Sequence, residues 1–357
     1  MKNYFWFIFL VLLSCREQAA NEGIMIGTNR GYASFTVFSD SVCLLPLATD
    51  SQFLIGQIDK ILDTDSAYFF LDAGKTKSIY KYGKDGKTDQ KFHRVGRGPL
   101  EYIEIRDLDL DYSNNKLFIL CFPGKILVTD MDFNIEKTIR VNENFSRLAC
   151  QNGQVYLYSH LGRGLHLLDV DAGSTKSLLE EGDVAQLYFR ALPVFHKVDG
   201  HLLYVGIGSD KVYKLDLGKP QLLFSVNYLQ KKQKQKKMNQ LAANDVFNIN
   251  PPYVFEIFTI GGNYAIIYSY EAMIRLCVIN CQENKTMFDG IMSDFIGDTG
   301  VRYLNKQLFT WEFMPDRIFM SDSSMYKIKM QSPFYNDDEA NPVLIRYVLK
   351  DSVSFKN

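Results

Sequence analysis

The sequence predicts an all-β fold: a six-bladed β-propeller of four-stranded antiparallel blades, carrying a short helical insertion on its rim. Three observations predict it. A phrase of short strand, polar turn and second short strand recurs six times across nearly the whole chain. Its strands draw on a pool of 21 Tyr and 26 Phe, together with β-branched residues, which suits sheets stacked face to face. Helical crossovers of a dozen or more residues are absent between most copies, which favours an antiparallel meander. A phrase this short cannot bury its own apolar side chains, so the copies must pack against one another. A β-sandwich also uses many short strands, but here the pair and its turn recur in the same order, which favours a radial array.

The amino terminus stands outside that array. Lys2 supplies a positive start, residues 4–13 are almost continuously apolar, and Leu12-Leu13-Ser14 lead directly to Cys15. The apolar run is too short to span a bilayer, so residues 1–14 read as a lipoprotein signal peptide, with Cys15 as the lipidated first mature residue. An ordinary signal peptide with an unmodified cysteine is the alternative. More than one acyl chain on Cys15 would make a stable membrane anchor. Residues 15–32 then form a tether, residues 33–350 one propeller domain, and residues 351–357 a carboxy-terminal tail.

The copies follow in order. They occupy residues 68–72 with 77–82, then 108–111, 116–120 and 125–130, then 154–158 with 165–169. The last three are 201–205 with 211–216, 263–268 with 274–279, and 317–321 with 325–330. A closed ring needs its last blade completed by a strand from the other terminus. Residues 33–38 or 41–45 are the amino-terminal candidates; alternatively residues 343–349 complete the first blade. The rhythm breaks at about 228–250, where glutamines interleave lysines from Gln230 to Lys237. A rim helix is expected there, with Met238, Leu241 and Ala242 toward the body and the lysines in water.

Charge and cysteine usage narrow the function. With 40 Lys and Arg against 41 Asp and Glu, no global field attracts nucleic acid, and export removes the chain from it. Beyond Cys15 stand Cys43, Cys121, Cys150, Cys277 and Cys281, an odd number in a chain able to build its own core, so buried free thiols are expected. Cys277 and Cys281 are too far apart along one strand for a comfortable bridge.

A second break is Phe92-His93-Arg94-Val95-Gly96-Arg97-Gly98-Pro99-Leu100-Glu101-Tyr102. Gly96 and Gly98 allow tight backbone, and Arg94 and Arg97 offer planar donor forks to a carboxylate or phosphate. The order is not that of a phosphate loop, and an arginine paired to Glu101 across the connection would serve structure instead. With residues 54–61, 69–72, 96–102 and the Leu12–Cys15 box, the chain resembles the six-bladed β-propeller lipoproteins of Bacteroidales, themselves similar to NHL-repeat propellers. Leu100 stands where that family more often has Gly. The resemblance implies a fold, a secretion route and an envelope location, and it carries no catalytic residue.

Chemistry-bearing residues are sparse. His93, His160, His166, His196 and His201 occupy different blade positions, which argues against a shared metal site. Asp107, Asp109 and Asp111 alternate on one strand face and could hold Ca²⁺, but Tyr112 and Phe118 stand where a calcium loop needs Gly and Glu, so a polar inner strand lining the channel is expected. Tyr102, Tyr253, Tyr303 and Trp311 lie in or near irregular segments and could stack on a sugar or anchor a protein. The expected function is therefore a monomeric, cofactor-free lipoprotein of the cell envelope, anchored through Cys15 to a membrane, with the outer membrane foremost. Its propeller would bind a glycan, peptide or protein partner through Arg94, Arg97, Tyr102, Tyr253, Tyr303 and Trp311. The alternative is a hydrolase or lyase acting on an extracytoplasmic polymer through carboxylates at the channel mouth.

Overall fold

The computed structural model describes residues 23–26, 31–159, 164–180, 192–228, 253–270, 273–283, 285–293, 300–312 and 341–353. These begin with β1 (Ile24–Ile26), β2 (Gly31–Ala33), the four-residue helix α1 (Phe35–Phe38) and β3 (Ser39–Pro46). Blade 1 is β4 (Lys60–Asp63), β5 (Ala67–Asp72), β6 (Ser78–Gly83) and β7 (Thr88–Phe92). Blade 2 is β8 (Glu104–Asp111), β9 (Lys116–Phe122), β10 (Lys125–Thr129) and β11 (Ile135–Arg140). Blade 3 is β12 (Arg147–Gln151), β13 (Gln154–Ser159), β14 (Gly164–Leu168) and β15 (Thr175–Leu179). Blade 4 is β16 (Phe195–Val198), β17 (His201–Tyr204), β18 (Lys211–Asp216) and β19 (Lys219–Tyr228). Blade 5 is β20 (Tyr253–Ile260), β21 (Asn263–Tyr270), β22 (Met273–Asn280) and β23 (Lys285–Met292). Blade 6 joins β24 (Val301–Leu304), β25 (Gln307–Glu312) and β26 (Val343–Leu349) to β3. The protein is an all-β six-bladed propeller of four-stranded antiparallel sheets.

The repeated phrase is the two middle strands of blades 1 to 5. A middle strand has neighbouring blades on both of its faces, so it reads as a continuous apolar run: all six residues of β5 are buried. Outer strands have one face in water and alternate, as β11 does. Blades meet through aromatic contacts. Phe69 and Phe92 of blade 1 pack on Phe133 of blade 2, and Tyr68 of blade 1 meets Phe309 of blade 6 edge-on. Each such fully buried ring contributes on the order of 2 kcal/mol by leaving water.

Closure uses both termini in one blade. β3 pairs antiparallel with β26, Leu44 opposite Ile345, so residues 41–45 complete the ring. Residues 343–349 are the third strand of blade 6 and not a part of blade 1, which already has four strands of its own. Residues 35–38 are helical instead of extended, because Ser34 caps the Thr36 amide at 3.2 Å while Phe35 and Phe38 turn into the core. That helix is the helical element among the described residues; the expected rim helix at 228–250 lies outside them beyond Tyr228, as do residues 317–330 of the sixth expected copy. Blade 6 is instead described by β24, β25 and β26.

Part of the segment expected as tether is strand. β1 adds in parallel to the edge of blade 4, Ile24 opposite Val226, and β2 to the edge of blade 5, Gly31 opposite Gly290. Ile24 and Ile26 are buried there, so the chain before blade 6 straps two rims. Cys121, Cys150 and Cys277 are buried free thiols; Cys43 and Cys281 are free and half-buried. Cys281 falls in the turn after β22 and not in the strand itself.

Candidate functional site

The innermost strands β4, β8, β12, β16, β20 and β24 surround the axis, and their charged side chains bind blade to blade. Asp107 on blade 2 takes Lys60 Nζ of blade 1 at 3.0 Å and the Leu148 amide of blade 3 at 2.8 Å. Asp109, two residues on, takes the Cys150 amide of blade 3 at 2.7 Å and Lys197 Nζ of blade 4 at 2.7 Å. Burial pushes the Asp109 carboxyl up, but Lys197 and Lys60 outweigh it and hold the group below the usual carboxylate range. Glu256 of blade 5 joins His196 of blade 4 to Arg302 and the Tyr303 amide of blade 6. Each carboxylate thus clamps three blades. Asp111 closes a local turn, accepting from the Ser113 amide and Asn114 Nδ2.

The Asp107–Asp109–Asp111 row shares a strand face and is 2–5% exposed. Asp107 and Asp109 cap amides of blade 3 while bordering the axial cavity and its inner recess, and Asp111 caps its own turn. No group of His, Cys, Asp and Glu among the described residues is placed to hold a metal ion. His196 and His166 are buried, His93 and His201 are exposed, and His160 lies outside the described residues.

Above the clamps opens a cavity of about 580 Å³, at the end of the axis where the inner strands begin. All six blades or the connections leading into them supply its wall. Gln57, Asp59, Lys60 and Lys77 come from blade 1, Glu104 and Arg106 from blade 2, Ser146 and Arg147 from blade 3. Leu192 and Pro193 lead into blade 4, Phe255 belongs to blade 5, and Val301, Arg302 and Trp311 to blade 6. A narrow recess continues inward past Lys60, Asp109, Lys197 and Arg302.

Arg147 donates from Nε to Leu192 O at 2.9 Å and from Nη1 to Ser146 O at 2.6 Å. Burial, with the like charge of Arg302, holds its guanidinium below the ordinary arginine value against the pull of Asp107 and Asp59. Arg106 lies over the Phe122 ring at 4.5 Å and reaches Asn144 Oδ1 at 2.6 Å. Asp59 accepts from the Ala73 amide at 2.7 Å and from Gln57 Nε2. Its pKa is raised, burial outweighing those donors.

The expected site residues do not converge on one surface. Trp311 lines the cavity but is 5% exposed, and an atom added at Gly300 would stand 1.9 Å from its ring, so backbone covers the indole. Tyr303, buried in β24, donates to Asp199 Oδ1 at 3.0 Å and lines the inner recess. Tyr102 is buried against Phe92, donating to Lys77 O at 2.9 Å and accepting from the Arg94 amide at 3.0 Å. Tyr253 is half-buried beside Phe255, in a smaller recess with Pro193 and Gly206. Arg94 and Arg97 are exposed on the connection from blade 1 to blade 2. That connection adjoins the cavity, since Lys77 Nζ reaches Ile103 O at 3.3 Å and Glu104 lines the wall.

The loop is held from inside. Glu101 Oε2 accepts from the Gly98 amide at 2.7 Å, and Lys125 Nζ donates to the carbonyls of Gly98, Pro99 and Glu101. A Cβ on Gly96 would stand 2.0 Å from the Glu101 carboxylate, the end of an exposed side chain, so a larger residue there would push that carboxylate off the Gly98 amide. The structural role foreseen for Glu101 is thus filled by the loop's own amide and not by an arginine. Sequence reasoning missed Lys60, Lys77, Arg106, Arg147, Arg302 and Glu256. No motif marks them; the one available cue was a charged residue near the start of each inner strand.

The fold defines the class: a closed six-bladed propeller with an axial cavity shared by its blades. The chain belongs to the family described as Domain of unknown function (DUF4934), whose model matches residues 28–347. A protein of Bacteroides fragilis NCTC 9343 described as exported has a similar crystal structure: TM-score 0.71, 14% identity, covering 91% of this chain and 99% of that one. A duf4221 family member from Bacteroides vulgatus is also similar, with TM-score 0.52, 10% identity, and 87% and 97% of the two chains covered. Both likenesses are of fold alone. No curated protein matches the chain.

Proposed function

We propose that this chain is a non-enzymatic envelope lipoprotein that holds a glycan, peptide or protein partner at the mouth of its channel. The observation that carries this reading is the 580 Å³ cavity to which all six blades contribute. Its volume is that of a small-ligand site, and its wall mixes apolar surface with convergent polar groups. Arg94 and Arg97 would extend the surface outward, Tyr253 would serve the neighbouring recess, and Tyr102, Tyr303 and Trp311 would act by shaping the walls. Cys15, outside the described residues, is the proposed lipid attachment, holding a monomeric body on the outer membrane toward the periplasm or the surface. Similarity to a protein described as exported supports an extracytoplasmic place, and an NHL-like origin of the repeats belongs to the same reading. Among the described residues no helix is long and apolar enough to cross a membrane.

The test is a screen of the full chain, in detergent, against polysaccharides, peptides and envelope proteins, repeated with Ala73→Trp and Arg97→Ala. Ala73 lines the cavity, so Ala73→Trp should abolish binding, and a partner retained at full affinity overturns the cavity reading. Unchanged affinity with Arg97→Ala removes that residue from the surface. Radiolabelled palmitate should enter the chain and fail to enter Cys15→Ser.

A second reading rests on Asp59, whose half-buried carboxyl with raised pKa lines the same cavity as a general acid would. Hydrolysis or lysis of an extracytoplasmic polymer that disappears in Asp59→Asn would favour it over binding alone.

A further inference from the structure

We infer that the connection from blade 1 to blade 2 is a docking surface for a protein partner, whose contacting segment presents carboxylates beside aliphatic side chains. This rests on the proposed reading of a partner held at the cavity end, and it names that partner's chemistry.

Two charges are left over on this connection. Arg94 and Arg97 are exposed, and among the described residues neither has a carboxylate within ion-pair distance. The acids beside them are committed: Glu101 accepts from the Gly98 amide at 2.7 Å, and Glu104 lies 4.0 Å from Arg106 Nε. The Arg94 guanidinium stands 5.8 Å from the centre of the Phe92 ring, a contact that leaves its N–H groups to an outside acceptor. A carboxylate can take two parallel N–H bonds from one such planar fork.

The apolar side chains decide what carries the carboxylate. Val95, Leu100 and Ile103 are 37–44% exposed, on the same short stretch as the two arginines. The Gly96 amide bonds Tyr102 O at 2.9 Å, which lays Val95 alongside Tyr102 and next to Ile103. A sugar is gripped by stacking its apolar face on an exposed aromatic ring, but Phe92 and Tyr102 are both buried. Arginine among apolar side chains is instead the composition that protein interfaces enclose.

The surface is also formed before any partner arrives. Tyr102 donates to Lys77 O and accepts from the Arg94 amide, while Lys125 Nζ holds the Gly98 and Pro99 carbonyls at 3.4 and 3.1 Å. These bonds fix the backbone and leave the side chains at 94, 95, 97 and 100 exposed. Little binding energy is then lost to ordering the loop.

Fluorescence anisotropy of the full chain in detergent compares two labelled sets of short peptides. One alternates Asp or Glu with Leu, Ile or Val; the other carries Asn or Gln in place of the acids. Members of the acidic set should bind about 10-fold more tightly than their amide counterparts. Arg97→Gln should weaken the best of them about 10-fold, through loss of one charge-assisted bond, and Leu100→Asn should weaken both sets. Both side chains are exposed, so the thermal midpoint should stay that of the parent. Equal binding by the amide set, no binding by either set, or indifference to either variant overturns the inference. Polygalacturonate, run alongside, should bind weakly; if it binds through Arg97 while the peptides do not, the ligand is an acidic glycan and the inference falls. In each of those cases a partner from the wider screen that Ala73→Trp still blocks leaves the cavity reading standing; a partner indifferent to Ala73→Trp sinks that reading as well.

Discussion

Glu256 accepts the Nδ1 proton of His196 at 2.7 Å across the boundary between blades 5 and 4, with both side chains at most 1% exposed. Its other oxygen lies 3.2 Å from Arg302 on blade 6. Replacing Glu256 by Gln keeps the shape but leaves Arg302 without its charge partner. Breaking a buried pair from one side costs about 3–5 kcal/mol. The midpoint of thermal unfolding should fall by roughly 10 °C, given the few degrees per kcal/mol expected for a chain of this size, and differential scanning calorimetry checks it.

Acid should loosen the ring at these same clamps. Glu256 and Asp109 both have folded pKa values held below the ordinary carboxylate range; burial pushes each up, and Arg302 with His196, or Lys197 with Lys60, outweighs it. A depressed carboxylate contributes stability that is complete above its unfolded pKa, near about 4, and is lost as pH falls through the folded value. Chemical denaturation midpoints should therefore hold from pH 7 to 5 and drop below about pH 4. Asp109→Asn should flatten part of that drop, and an unchanged acid limb would count against the clamp.

The Gly96–Glu101 contact makes a coupled prediction. Glu101→Ala releases the Gly98 amide, a charge-assisted bond worth about 1.5–3 kcal/mol. Gly96→Ala drives a Cβ into the same carboxylate and should cost a similar amount. The double variant should be less damaged than the sum, because both changes remove one interaction. Urea unfolding of the three variants measures the coupling, and strict additivity would show the loop to be held otherwise.

Truncation separates strapping from closure. Removing residues 1–33 deletes β1 and β2, which only extend blades 4 and 5. Removing residues 1–46 deletes β3, the strand that closes blade 6 against β26. The shorter truncation should still unfold in one cooperative transition, at lower temperature. The longer should lose cooperativity by circular dichroism.

Thiol labelling reads the core directly. Burial raises the Cys121 thiol to about 12 and drives Cys150 and Cys277 well above the ordinary value, so none should react with iodoacetamide at pH 8 in the folded chain. Cys281, raised by burial to about 11, should react slowly, and half-buried Cys43 first. Mass spectrometry of labelled peptides gives the order.

The middle strands were legible because packing dictates their composition. In residues 68–71 and 117–120 a blade lies on either face, so every position is apolar whatever its parity, and the run shows plainly in the sequence. Inner and outer strands were not legible in the same way. β24 and β25 are ordinary short strands, yet Tyr303 and Trp311 read as residues of irregular segments, because the apolar runs on either side of them are short. The Phe92–Tyr102 loop was visible through its glycines and proline. Its inward bonds to Glu101 and Lys125 were not, since Lys125 lies on a strand of the next blade.

The sequence by itself determined the kind of fold: a recurring phrase too small to bury its own side chains must stack against its copies. Only the tertiary structure decided the site. Lys60, Arg147 and Arg302 are separated by scores of residues and stand in unremarkable local contexts; they meet because each sits near the start of an inner strand, and closure brings those starts to one end of the axis. Periodicity reports which face of a strand is buried. It carries no information about which residues of six different strands will share a cavity.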